Sequence, residues 1–265
     1  MTDLSVSALY RYPVKSLRGA SLDSVNVGRR GFQYDREWMV VDPSGQFLTQ
    51  RQLPRMCLIA TSFSDRKQLV LSAPGMPDHA VAQTGEDPGR VTVWRDDVDA
   101  VYVDPEADAW LSQFLQTACR LVHMPAGSVR QVDLDYAKAG DEVGFADGFP
   151  FLLISQASLD DLNSRLESPV TIQRFRPNLV VSGCEAYAED TWRCLRIGDL
   201  LLRVVKPCSR CIIPTIDPTS GERSAEPLRT LTGYRRRNNK VLFGQNLVHE
   251  GTGDLVRGMA VEILE

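Results

Sequence analysis

The stretch "RVTVWRDDVDAVYVDPEADAWLSQFLQ", residues 90–116, changes period in its middle. Up to Asp104 it is rich in valine and reads as strand. Beyond that point it reads as helix. Asp104 stands at the N-cap position, and Pro105 occupies the first helical position, where a missing N–H costs nothing. Trp110, Leu111, Phe114 and Leu115 then form one apolar stripe.

Toward the N-terminus the character is strand and turn. "SVSALYRYPV" is rich in β-formers and ends near a proline, and "REWMVVD" is a short β-type run closed by the turn "DPSG". "FLTQRQ" is expected to return as the second strand of that hairpin, and "QLVLSAP" reads as another strand. This half is expected to be all-β, barrel-like or sandwich-like. Toward the C-terminus a polar, linker-like stretch runs through "MPAGSVRQVDLDYAKAGDE". "SQASLDDLNSRLE" predicts a second helix with Ser155 as N-cap and Leu159, Leu162 and Leu166 on one face. "RPNLVVSG", "CLRIGDLLLRVVKP", "LFGQNLVHE" and "MAVEIL" predict further strands. The expected class is mostly β with a few helices (α+β). A boundary fits between about residues 100 and 130, dividing the chain into 1–120 and 121–265.

The chain has 265 residues, of which 43% are hydrophobic and 24% charged, as in ordinary globular proteins. The net charge of −4 disfavours wholesale nucleic-acid binding, so any anion site must be local. No apolar run approaches the roughly 20 residues of a membrane-spanning helix. The first residues read as a strand rather than an export signal. The expectation is therefore a cytoplasmic protein whose six cysteines (Cys57, Cys119, Cys184, Cys194, Cys208 and Cys211) are reduced thiols.

Chemistry concentrates in "VVKPCSRCIIPTIDPTSGE", residues 204–222. Cys208 and Cys211 stand three apart. Half of a zinc knuckle, a redox pair, one metal-binding thiolate and two packed thiols all fit that spacing. Lys206, Arg210 and Arg223 make the surroundings basic, which favours a thiolate able to bind a soft metal. Arg174, Arg176 and Asn178 alternate in "TIQRFRPNLVV", so an extended backbone would point all three to one side, where they could bind an oxyanion. Lys15, Ser16 and Arg36 lie beside glycine-containing turns, and the helix beginning at Ser155 offers free N–H groups to an anion. "YRRRNNK" is a basic run.

In order, "YRYPVKSLRG", "GFQYDREWMVVD", "FLTQR", "FADGFPFLLISQASLDDLNSRL", "RFRPNLVVSG", "KPCSRCIIPTIDPTSGE", "EPLRTLTGYR" and "LFGQNL" resemble the MOSC superfamily in its form with an N-terminal β-barrel domain. The resemblance covers nearly the whole chain and is strongest to the amidoxime-reducing components. It implies an N-terminal barrel over 1–120 and a MOSC barrel over 121–265. It also implies a molybdenum cofactor: one molybdopterin whose metal takes Cys211 as its single protein ligand. Lys15, Ser16, Arg36, Arg176, Asn178, Ser209 and Arg210 would then hold the pterin or its phosphate. Gly148 and Phe149 would line the cofactor, and Asn246 would stand beside it. The implied reaction is two-electron reduction of N-hydroxylated compounds: amidoximes, hydroxylamines and N-hydroxylated bases. No cysteine set remains for an Fe–S cluster. Electrons are therefore expected from a separate flavoprotein or ferredoxin, for which Arg235–Arg237 offers a docking patch. Two other readings remain: a sulfur-carrying or molybdopterin-handling module using Cys211, and a zinc-binding module.

Overall fold

Alternating side chains in the central strands make a sheet that must be covered on both faces. In the computed structural model, which describes residues 3–82 and 87–265, that sheet has nine strands. Its path runs Val261–Ile263, Cys194–Ile197, Leu200–Ser209, Lys240–Glu250, Phe151–Ser155, Leu179–Ser182, Ser5–Arg11 and Ala20–Leu22, with Arg236–Arg237 added beside Lys240–Glu250. Phe151, Leu153, Leu179 and Val181 face one core with Leu195, Leu202 and Leu247. Ile154 and Val180, one position out of phase, face a second core with Phe175, Phe243, Leu159 and Leu162.

Phe151–Ser155 and Leu179–Ser182 are parallel, and helix α2 (Gln156–Ser164) lies in the crossover between them. The other named ladders are antiparallel. The two ends of the path approach each other. Ser5 bridges Ala260, and the Val6 N–H donates to Met259 O at 2.9 Å. The sheet is thus barrel-like, but its named ladders do not close it.

The remaining N-terminal residues build a separate layer. A four-stranded sheet orders Trp38–Val41, Arg120–His123, Asp96–Tyr102 and Asp87–Val93. Helix α1 (Pro105–Leu115) caps it, with the Asp104 carboxylate accepting from the Glu106 N–H and the predicted stripe buried. Trp110, Leu111, Phe114 and Leu115 pack with Trp38, Val40, Leu69 and Leu121.

Strand pairing crosses the sequence cut near residue 120. Ser5–Arg11 pairs with Leu179–Ser182, and Ser24–Gly28 pairs with Gly253–Val256. The first strands of the chain complete the sheet of its second half, and this interleaving carries Lys15 and Ser16 to the pocket where Cys208 and Cys211 lie.

Three local expectations are revised. "FLTQRQ" makes a single antiparallel bridge, Phe47 with Val41, then turns, because Gln52 accepts from both the backbone and the hydroxyl of Thr49 and folds the chain back. Leu166 lies beyond the end of α2 yet still packs against its core. A third helix, α3 (Leu228–Tyr234), was absent from the pattern reading, since it is short and buries only Leu231 deeply.

Candidate cofactor site

The strand Leu200–Ser209 carries the two cysteines to the pocket through irregularities. Its register with Lys240–Glu250 slips between Val204 and Lys206, and again between Pro207 and Ser209. An extra residue in one strand re-aims the side chains near it. A regular strand would send positions 208 and 211 to opposite faces. Here the slip at Cys208 and the strand end at Ser209 let both thiols line one recess of about 140 Å³.

The same recess is lined by Lys15, Ser16, Arg36, Arg176, Asn178 and Asn246, and by Gly148, Phe149, Ser209 and Arg210. Every position that the resemblance marks is therefore gathered on one wall or another. Four cations and one carboxylate, Asp147, line it, so a local positive surplus exists in a chain of net charge −4.

Three of these residues hold left-handed backbones: Ser16 (φ 67°), Arg36 (φ 50°) and Arg176 (φ 58°). Such conformations cost about 1–3 kcal/mol each and persist where the surroundings impose them. The surroundings are visible. Arg36 and Arg176 lie over the buried Tyr12 ring, at 4.2 and 4.3 Å from its centroid. Arg36 pairs with Asp35 and donates to Asn178 Oδ1 at 3.0 Å, and Arg176 donates to Leu17 O at 2.7 Å. Burial, with Arg36 nearby, lowers the Arg176 guanidinium to about 10. Asn178 also accepts from the Leu152 N–H and donates to Tyr10 O, so it braces Arg36 and two strands.

Lys15 is buried, with Nζ 2.7 Å from Phe145 O and 2.6 Å from Asp147 Oδ1. Burial lowers its ammonium to about 8, against the pull of Asp147. Partial desolvation in the pocket opposes the charge of Asp147, although its side chain is 58% exposed. Lys15 and Arg51 overcome that and hold the carboxyl well below the usual range.

Around the cysteines the arrangement is asymmetric. Arg210 donates to Cys208 Sγ at 3.0 Å and to Phe175 O at 2.7 Å, while its buried Nε has no partner among the described residues. Arg51 donates to Cys211 Sγ at 3.5 Å and to Asp147 Oδ2 at 3.2 Å. Burial works against the Arg51 charge, but Asp147 and Cys211 outweigh it and raise the guanidinium above its ordinary value. Residue-level reading passed over both Arg51 and Asp147. They lie inside "FLTQR" and "FADGFPF", and the only signal was their place in those motifs.

Several expectations are corrected. Arg174 does not join Arg176 and Asn178, because Ile172–Arg174 is a 3-10 turn rather than an extended segment. Arg174 instead pairs with Asp217 at 2.8 Å. Asp217 accepts from the Thr219 and Ser220 N–H groups, and its bonds with Thr219 lower its carboxyl. It stabilises a turn. The N-terminus of α2 is not an open anion site. Ser155 caps the helix, but Glu189 Oε1 accepts from the Ser155 N–H and from Ser158 Oγ. Arg235 is buried against Asp190 at 2.6 Å, which leaves Arg236, Arg237 and Lys240 as the exposed cations of that run. All six cysteines are free, and among the described residues no three His, Cys, Asp or Glu side chains form a metal-binding group. Cys208 and Cys211 thus have no local partners for a closed zinc site.

Comparison with known proteins identifies the domains of the chain. Residues 3–118 match the MOSC N-terminal beta barrel domain, and residues 140–262 match the MOSC domain. Mitochondrial amidoxime-reducing component 1 of Homo sapiens is 38% identical, covering 98% of this chain and 83% of the relative. The chain belongs to the MOSC family. The Mus musculus amidoxime-reducing component 1 is 36% identical over 98% of this MOSC chain and 82% of its own length. The molybdenum cofactor sulfurase of Oryza sativa subsp. japonica is 31% identical over 99% of this chain, which spans 35% of that longer relative.

The residues present fit an anionic, sulfur-bonded group. A soft thiol stands among Lys15, Arg36, Arg176 and Arg210, and a buried Arg210 Nε–H awaits an acceptor. Within the MOSC domain, no helix of the described residues is long and apolar enough to cross a membrane, and none is in the N-terminal part.

Proposed function

We propose that this chain binds a molybdenum cofactor through Cys211 and reduces N-hydroxylated compounds with electrons from a separate protein, of the flavoprotein or ferredoxin class. The observation that carries the reading is the convergence of Lys15, Ser16, Arg36, Arg176, Ser209 and Arg210 around Cys211 in one recess. The relatives named for amidoxime reduction support it. We keep residues 1–120 and 121–265 as its two sequence domains, and the cytoplasm as its compartment.

In this proposal Cys211 is the metal's protein ligand. Cys208 is less suited, because its sulfur is held more closely, 3.0 Å from Arg210 against 3.5 Å between Arg51 and the Cys211 sulfur. Lys15, Arg36, Arg176 and Arg210 hold the phosphate and pterin, and Ser16, Ser209 and Asn246 add hydrogen bonds. Gly148 and Phe149 close one side. Arg51 orients the Cys211 sulfur, and Asp147 orients Arg51. When bound, the cofactor supplies two-electron redox chemistry. The balanced reaction takes an N–OH group, two electrons and two protons to N–H and water.

The likeness to the sulfurase favours one second reading, in which the chain handles cofactor or carries sulfur on Cys211. Metal analysis separates the two. Protein made in a host competent for cofactor synthesis should hold about one molybdenum per chain, lost in Cys211→Ala and kept in Cys208→Ala. Zinc dependent on both cysteines would overturn the reading. Labile sulfur on Cys211 without molybdenum would support the second one. With a chemical reductant, fully loaded protein should convert an amidoxime to the amidine.

A further inference from the structure

A second recess, of about 540 Å³, shares Asp147, Gly148, Phe149, Cys208, Ser209 and Asn246 with the cofactor pocket. Trp94, from the N-terminal hairpin, also lines it. No role for this space follows from the motifs.

Trp94 is an unusual occupant of its position. Val93 pairs with Asp96, so Trp94 and Arg95 form a two-residue hairpin loop. Trp94 has φ 59° and Arg95 is not left-handed, which is the first central position of a tight turn, normally glycine. A bulky residue there is strained. The turn alone gives no reason for tryptophan.

The ring is nevertheless held. Its Nε1–H donates to Asp147 Oδ1 at 3.2 Å, the Arg51 guanidinium lies 4.8 Å from its centroid, and Phe47 packs at 5.1 Å. Yet 47% of the residue is exposed. A fixed indole with open surface, bordering a recess that reaches Cys208 and adjoins the pocket of Cys211, is a stacking platform. Through Asp147 and Arg51 it is also linked by hydrogen bonds to Cys211 Sγ. Phe149 adds a second aromatic wall, over which Lys206 lies at 5.8 Å.

We propose that this recess is the substrate subsite and that Trp94 sets its preference for flat, conjugated N-hydroxylated compounds over aliphatic ones. This rests on the reductase reading above. An aryl amidoxime would lie against the indole with its N–OH directed toward the Cys211 side.

The test uses the full chain, loaded with cofactor, and two matched pairs: benzamidoxime with acetamidoxime as substrates, and benzamidine with acetamidine as product-like ligands. Trp94→Ala and Trp94→Gly remove the platform, and the glycine variant also relieves the turn. Trp94→Phe keeps an aromatic face but loses the bond to Asp147. Titration calorimetry should show benzamidine binding weakened about 10-fold in the Ala and Gly variants, equivalent to about 1.4 kcal/mol. The phenylalanine variant should stay within about threefold of the parent. The aryl-over-alkyl ratio of kcat/KM should fall by the same factor. An undiminished aryl preference in the Ala and Gly variants overturns the proposal. So does a parent protein that binds benzamidine no better than acetamidine. Loss of molybdenum from the Ala and Gly variants also overturns it, since the ring would then belong to the cofactor site. Should loaded parent protein reduce neither amidoxime, the reductase reading fails, while the amidine titration still reports on Trp94.

Discussion

Gly19→Ala should disturb the arginines of the pocket without touching them. Gly19 lies behind the Tyr12 ring. A Cβ there would sit 2.9 Å from Tyr12 Cζ and nearer still to Cε1 and Cδ1, well inside the 3.4 Å at which ordinary contact begins. The ring would have to retreat by about 1 Å. It has little room, being 1% exposed and lying beneath both Arg36 and Arg176. Those guanidiniums are tied in turn to Asn178 and Leu17. Overpacking of this kind costs about 1–3 kcal/mol. For a chain of this size that lowers Tm by about 3–10 °C. Calorimetry or circular dichroism would measure the shift, and cofactor retention after gel filtration would report on the displaced arginines. Gly233→Ala is the control. It lies in α3 with open space around its Cβ, so alanine should raise stability by about 0.5–1 kcal/mol. A Gly19→Ala protein with parental Tm and full cofactor retention would refute the clamp around Tyr12.

Lys15 gives a pH signature. Its ammonium titrates at about 8 in the folded chain against an ordinary value of 10.5. Between those values the unfolded chain binds the extra proton, so this group makes stability rise with pH across that window. Lys15→Met should remove that rise, read as urea midpoints at pH 7.5 and 9.5, and should also weaken cofactor retention; an identical pH slope in both proteins would argue against burial as the cause. Glu189→Ala should leave the buried Ser155 N–H and Ser158 hydroxyl without their acceptor and cost about 1–3 kcal/mol in denaturant unfolding, with Glu189→Gln recovering much of the loss.

Period and punctuation were enough to place α1, its Asp104 cap and most of the strands, because amphipathic alternation and capping are local properties. Helix α3 escaped for the opposite reason: seven residues with one deeply buried leucine carry too little pattern. The paired arginines of "TIQRFRPNLVV" misled because the assumption of an extended backbone fails at Ile172–Arg174. At the site, motif order named the positions that line the pocket. It did not say that Arg210 would reach Cys208, or that Arg51 would reach Cys211 across 160 residues.

The sequence by itself determined the β-rich class, the family motifs and the concentration of basic residues near two thiols. These depend on residue type and spacing along the chain. Only the tertiary structure decided which cation serves which sulfur, which carboxylate is shared, and that Trp94 borders the same space. Those relations arise where the N-terminal strands complete the C-terminal sheet. They depend on distances between segments far apart in sequence, with strand slips and left-handed turns setting the final aim of each side chain.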